Sequence, residues 1–366
     1  MPMEKMIVYP YNDEQFSPVL RHPLFLKDFD ISCLVSPKGW TNENVNGSLN
    51  ITCDFDSALE YCDTVLISES GALLDFEKSI MPKIMHSIAQ GKNIICTMPL
   101  HNEPFKLINR KCESQGVYFK YFNYPEEYKV QEIYERGKFL YDISKPVIFV
   151  FGSGERTNKF EIQLSLRENI MNMGYKISQM GTRGYCELLG FHSMPSFMFD
   201  NSVSETDRII LFNHYVKNVE MKESPDVIII GVPGAIMALN NNINNGFGIL
   251  AYEMCLAVTP DSSVLSYYYE DYNEEYFSDF VNMFKYKFEC QLDCFNLSNI
   301  KIDWQSSRFR NKMDYLSFDS KFIDEKKKKY KSIRTPVFNV LNYDDAKNMA
   351  ELIIKKLCEY GETECI

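Results

Sequence analysis

A chain of 366 residues with 45% hydrophobic and 14% aromatic residues is long enough for two domains with sizeable cores. Its formal charge of −11 argues against nucleic acid as a bulk partner. The opening MPMEKMIVYP lacks the apolar core of a signal peptide, and no apolar run approaches the ~20 residues needed to span a bilayer, so a cytoplasmic protein without a membrane partner is expected.

In chain order, strands are expected at Met6–Tyr11, Ile31–Val35, Thr64–Ser68, Asn93–Met98 and Val117–Phe122, with helices at Phe76–Gln90 and Glu103–Ser114. Such alternation predicts βαβ units on an open parallel sheet, giving a first domain over residues 1–125. Ile67–Gly71 and Thr97–His101 end neighbouring strands of that sheet, while His86 fits an apolar helix face and reads as core.

A linker helix is expected over Glu126–Ser144, followed by a second domain over 145–366. There the pattern repeats: strand Pro146–Phe151, helix Lys159–Met173, strand Lys176–Met180, helix Glu205–Val219 and strand Asp226–Val232. Strand Ser263–Tyr268, helix Glu274–Tyr286, strand Pro336–Leu341 and a closing helix Tyr343–Tyr360 complete it. An irregular insertion is expected at about 290–334, an asparagine-rich loop at Asn240–Asn245, and a solvated loop at Lys326–Lys329. The eleven cysteines are scattered without a CxxC, and no second pair or nearby His joins Cys290 and Cys294, so no metal site is expected. They read as reduced, small core residues.

The most informative stretch is Val147–Phe160, VIFVFGSGERTNKF. A buried strand stops at Gly152, Ser153 and Gly154 and restarts as a helix after Thr157, Asn158 and Lys159. This geometry aims backbone N–H groups and the positive helix end at one spot, where a phosphate is favoured and a lysine adds charge. The spacing is one residue longer than GxxxxGK(S/T), and Asn158 and Phe160 stand where that template has Gly and a hydroxyl. The hydroxyl normally holds Mg²⁺, so its loss weakens metal-assisted chemistry and leaves phosphate cradling intact. The alternative is a tight βα turn with Lys159 on a solvated helix face. No acid ends strand Asp226–Val232, where P-loop enzymes hold their metal.

About one βα unit later, Thr182, Arg183 and Gly184 form a second turn beyond a strand's carboxyl end, and an arginine there suits an anionic group. His192 and Glu187 are the candidate catalytic acid–base groups, with His192 weighed against a hydrogen-bonded loop histidine. The turn Gly231–Gly234 ends its strand beside the same face.

Taken together, CDTVLISESG (62–71), SIAQGKNIICTMPLHN (87–102), FGSGERTNKFE (151–161), GTRGYCELLGF (181–191) and PDVIIIGVPG (225–234) resemble a family of two-domain proteins. Its members pair a Rossmann-like N-terminal domain with a P-loop NTPase-like domain of the dethiobiotin-synthetase type, and some are D-glutamate N-acetyltransferases. The chain is more similar still to clostridial peptide maturation system proteins, which accompany radical SAM maturases and Cys-rich precursor peptides. The resemblance implies an α/β fold of two doubly wound domains. It places Gly152, Ser153, Gly154, Thr157, Asn158 and Lys159 in the phosphate loop and Thr182, Arg183 and Gly184 in the second turn. It implies a nucleotide or acyl-coenzyme A as cofactor and, in peptide maturation, an acyl transfer or an ATP-dependent, ligase-like reaction. The alternative is a non-catalytic adaptor for the precursor peptide or the maturase; homo-oligomerisation stays open.

Overall fold

The computed structural model describes residues 3–40, 49–122, 139–310 and 313–363. Its contacts divide into two compact units, Met1–Pro125 with Gly184–Ser193 and Glu126–Arg183 with Met194–Ile366.

The first unit holds β1 (Glu4–Tyr9), β2 (Phe29–Val35), β3 (Ile51–Thr52), β4 (Thr64–Ile67), β5 (Asn93–Cys96) and β6 (Phe119–Tyr121) in the order β3-β2-β1-β4-β5-β6. Every pairing is parallel. The apolar, β-branched centre of these strands has Val65, Leu66 and Ile67 fully buried, as a sheet covered on both faces requires. The helix expected over Phe76–Gln90 opens as a wide π turn at Phe76–Ile80 and becomes α-helical at Met81–Ala89. Pro82 explains the change, because it has no N–H and its ring crowds the preceding turn. Gly184–Ser193 joins this unit, and Phe191 sets its ring edge-on against Phe25 at 6.5 Å.

The second unit carries β7 (Val147–Gly152), β8 (Ile177–Gly181), β10 (Val227–Gly231), β11 (Ser262–Tyr267), β12 (Cys294–Leu297) and β15 (Val337–Phe338) in the order β15-β12-β11-β7-β10-β8, while β9 (His192–Ser193) lies in the segment that groups with the first unit. The paired strands from β15 to β8 run parallel. A separate antiparallel hairpin joins β13 (Ile300–Ile302) to β14 (Tyr315–Ser317). The protein is therefore an α/β protein with two doubly wound parallel sheets. One face of the second sheet packs Phe149, Phe151, Phe277 and Phe284, and the other packs Ile148, Val150, Ile162, Leu166 and Met349.

Several expectations are corrected here. Of the linker helix expected over Glu126–Ser144, residues 126–138 lie outside the described residues, and 139–144 are not helical. Asn213 accepts from the Tyr141 N–H at 2.7 Å and Glu220 from Ser144 at 2.6 Å, so side chains of helix Glu205–Glu223 take donors that a helix would have used. The stretch at about 290–334 is far from irregular: it supplies the buried strand β12, the hairpin and helices Trp304–Arg310 and Ser320–Lys327. The lysine run is not a solvated loop either, since Lys326 is buried, pairs with Asp271 at 3.2 Å and lies 4.2 Å from the Tyr269 ring centroid. Helix Ile249–Ala257 was not foreseen. Cys294 opens β12, four residues after Cys290. Eight of the ten described cysteines, all unbridged, are buried.

Candidate functional site

β7 is buried along its whole length between β10 and β11. The helices that follow β7 and β11, Lys159–Asn172 and Glu274–Lys287, go to opposite faces of the sheet, where their apolar residues join different cores. The loop after β7 thus sits at a switch point beyond the strands' carboxyl ends, where open α/β sheets bind ligands.

The loop is held from the β11–β12 side. Ser153 N–H donates to Ser266 O at 2.8 Å, and the Tyr268 hydroxyl donates to Glu155 O at 2.7 Å. The Ser266 hydroxyl donates to Thr157 O, and the Thr157 hydroxyl to Gly154 O at 3.1 Å. Gly152 is forced by close approach: a Cβ there would lie 2.5 Å from Thr157 Oγ1 and 2.8 Å from both Gly154 O and Lys159 Cδ. Asn158 takes a left-handed conformation, φ 60° and ψ 17°, which asparagine tolerates better than most side chains. That accounts for Asn where the template has Gly. Its side chain makes no cap bond to the helix; Asn158 Oδ1 instead accepts from Asn299 N–H at 3.1 Å and from the Ser298 hydroxyl.

What these braces leave open is the set of donors. Among the described residues, the amides of Gly154, Glu155, Thr157, Asn158 and Lys159 donate to no protein acceptor. The Ser153 hydroxyl is buried without a partner. Asn158, at the helix's N-cap position, gives the first turn no side-chain cap, and the helix start carries partial positive charge.

Lys159 does not lie on a solvated face. It is 9% exposed, and its ammonium donates to Gly234 O in the turn after β10. Burial pushes its pKa down to about 8; Glu155 opposes the shift and Arg183 adds to it. Phe160 is buried, and the Arg183 guanidinium lies 5.7 Å from its ring centroid. Arg183 and Thr182 follow β8, next to β10, so the ends of β7, β10 and β8 bring Lys159, the Gly234 carbonyl and Arg183 together.

The other sequence candidates fall elsewhere. Gly184, Glu187 and His192 belong to the segment that groups with the first unit. Glu187 is engaged locally: its carboxylate accepts from Ser193 N–H at 2.7 Å and from the Ser193 hydroxyl at 2.5 Å. His192 is half-buried in β9. Residues that the sequence did not flag are the braces Ser266, Tyr268, Ser298 and Asn299, together with Gln163. Gln163 follows Lys159 by one helical turn, so its presence on the same face was legible. Its side-chain amide donates to Lys159 O at 3.0 Å, and a Cβ on Gly231 would collide with it. No group of three or more His, Cys, Asp or Glu side chains is placed to hold a metal among the described residues. No helix among them is long and apolar enough to cross a membrane.

The chain thus belongs to the α/β proteins with a candidate ligand loop at a sheet's carboxyl edge, and comparison with the solved structure of a DUF1611 family protein agrees on the fold. A DUF1611 family protein from Anabaena variabilis ATCC 29413 superposes with a TM-score of 0.63 at 10% identity, over 96% of this chain and 99% of that one. Homoserine dehydrogenase from S. aureus matches 33% of each chain at 15% identity with a TM-score of 0.27. A putative oxidoreductase from Bacteroides fragilis NCTC 9343 matches 48% of this chain and 53% of its own at 10% identity, TM-score 0.28. No protein-family model and no curated protein matches the chain.

Proposed function

We propose that the second unit binds a phosphate-bearing organic ligand, a nucleotide or an acyl-coenzyme A, as a component of a ribosomal peptide maturation system. One observation carries the binding: five unpartnered amides, a helix start that Asn158 does not cap, buried Lys159, and Arg183 converge beside one loop. Fixed amides and two cations are what a phosphate group needs, and their geometry is already braced, so little ordering remains to be done on binding. The maturation setting rests on the sequence resemblance. With acyl-coenzyme A as ligand, the same grip would serve acyl transfer; no proton-transfer step is assigned, because both Glu187 oxygens are engaged by Ser193.

Titration calorimetry with ATP, GTP and acetyl-coenzyme A tests the reading. At least one should bind the wild type, and Lys159→Ala should weaken it about tenfold or more, the loss expected for a charge-assisted contact. Failure of all three to bind the wild type refutes it. The adaptor reading has one observation in its favour: Ile249, Tyr252 and Leu256 lie exposed at helical spacing, beside exposed Phe247. An adaptor would keep its partner when Lys159 is replaced by alanine.

A further inference from the structure

We propose that Arg183, seated on the Phe160 ring, stands in for a divalent metal at this loop, so that the ligand is gripped by two protein cations without Mg²⁺. The inference rests on the phosphate-ligand reading above and names the ligand class more narrowly: a metal-free diphosphate, such as the one in an acyl-coenzyme A, in preference to a magnesium nucleoside triphosphate.

The argument starts from the residue after the lysine. Metal-using loops keep a hydroxyl there to ligate Mg²⁺. Here the position holds Phe160, 5% exposed, whose side chain has no atom able to ligate a hard cation. The second usual ligand, an acid at the end of the third strand, is also missing, because β10 closes on Ile230 and Gly231 and continues into Val232. The donors for Mg²⁺ are thus replaced by carbon at both places.

Something else supplies positive charge. The Arg183 guanidinium lies 5.7 Å from the Phe160 ring centroid, a distance at which an aromatic face attracts a cation. The ring that displaces the metal-binding hydroxyl is therefore also the shelf that holds the guanidinium. Arg183 is close enough to Lys159 for its charge to add to the burial that lowers the lysine's pKa. Two like charges are thus held near each other, and Glu155 opposes the effect of Arg183 on Lys159. An anion at the loop would meet both cations, and the buried, unpartnered Ser153 hydroxyl adds a neutral donor to its oxygens. A guanidinium grips two phosphate oxygens in fixed directions, a geometry suited to a diphosphate.

The test is calorimetry of the wild type with acetyl-coenzyme A and with ADP, each in excess EDTA and in excess MgCl₂, repeated on Arg183→Gln and Arg183→Lys. Expected is binding in EDTA at least as tight as in MgCl₂. Arg183→Gln should weaken it about tenfold or more without rescue by Mg²⁺, and Arg183→Lys should fall between. Binding that requires Mg²⁺, or that is unchanged in Arg183→Gln, overturns the inference and leaves the phosphate reading standing. If neither ligand binds the wild type in either buffer, the inference falls, and the phosphate reading falls with it only if ATP and GTP also fail to bind. The wild-type comparison needs no variant, so a folding defect in Arg183→Gln does not blunt the test.

Discussion

Replacing Lys159 with methionine should stabilise the protein while weakening binding of the proposed phosphate ligand. The lysine pKa falls from 10.5 to about 8 on folding, mainly because burial strips water from the ammonium. At 1.36 kcal/mol per pH unit, that fall is a penalty of about 3 kcal/mol while the group is charged. Methionine fills similar space without the charge but gives up the bond to Gly234 O. Gly234 is exposed, so its carbonyl can turn to water and the loss is about 1 kcal/mol. The net gain is then about 2 kcal/mol, or some 4–8 °C in Tm for a unit of this size. Below pH 8 the folded and unfolded chains both carry the proton, and the wild type bears the whole penalty. Between pH 8 and 10.5 the folded chain has released a proton that the unfolded chain still holds, so wild-type stability rises with pH. The advantage of the variant should therefore be largest near about pH 7 and vanish by about pH 10. Urea unfolding of both proteins at the two pH values, followed by circular dichroism, measures it. A variant less stable than wild type at neutral pH, or an advantage independent of pH, would refute the reasoning.

Two further substitutions probe the frame around the loop. Gly231→Ala drives a Cβ into the Gln163 side chain and should cost about 1–3 kcal/mol in urea unfolding. The cost should shrink when Gln163→Ala is combined with it, as a double-mutant cycle would record. Glu253→Gln takes from the Arg208 guanidinium the buried carboxylate it bonds at 2.8 and 2.9 Å, leaving it the exposed Glu205 at 3.7 Å. Because Glu253 is 4% and Arg208 13% exposed, the loss should reach about 3 kcal/mol, read as a lower urea midpoint.

The loop after β7 was legible in the sequence because it follows from local chemistry: an apolar β-branched run, two close-set glycines and a lysine at a helix start. Its departures from template became intelligible only in three dimensions. Asn158 replaces glycine by tolerating a positive φ, and spends its side chain on Ser298 and Asn299, about 140 residues further along the chain. The burial of Lys159 was equally hidden, since the carbonyl it meets belongs to the turn after β10. Elsewhere the failures share a cause. Residues 139–144 read as helix, yet donors there are claimed by Asn213 and Glu220 on a distant helix. The strand expected over Pro336–Leu341 shrinks to β15 because Asn296 Oδ1 takes the Val340 N–H and Asp345 the Asn339 N–H. Periodicity reports which residues face a core. It is silent on side chains that reach across the fold to capture backbone donors.

The same reasoning predicts that the first unit will not bind NAD(H) or NADP(H), although its order β3-β2-β1-β4-β5-β6 is that of dinucleotide-binding sheets. In such sheets the pyrophosphate lies on a glycine-rich turn between the first strand and an open helix start. Here β1 runs into Pro10, Tyr11 and Asn12, none of them glycine. Tyr11 is 2% exposed; its N–H donates to Val35 O at 2.8 Å, and its carbonyl accepts from Ser36 at 3.2 Å. From the neighbouring β4 end, Ser68 donates to Pro10 O at 2.7 Å, stitching shut the crevice that a pyrophosphate would need. The next helix, Asp13–Arg21, is capped by Asn12, which accepts from Gln15 N–H at 3.3 Å, so a donor that an anion would use is already taken. Fluorescence titration of NADH and NADPH should show no saturable binding to the wild type. Saturable binding weakened by Ser68→Ala or Asn12→Ala would place an anion site at that turn and overturn the contrast between a filled switch point in one sheet and an open one in the other.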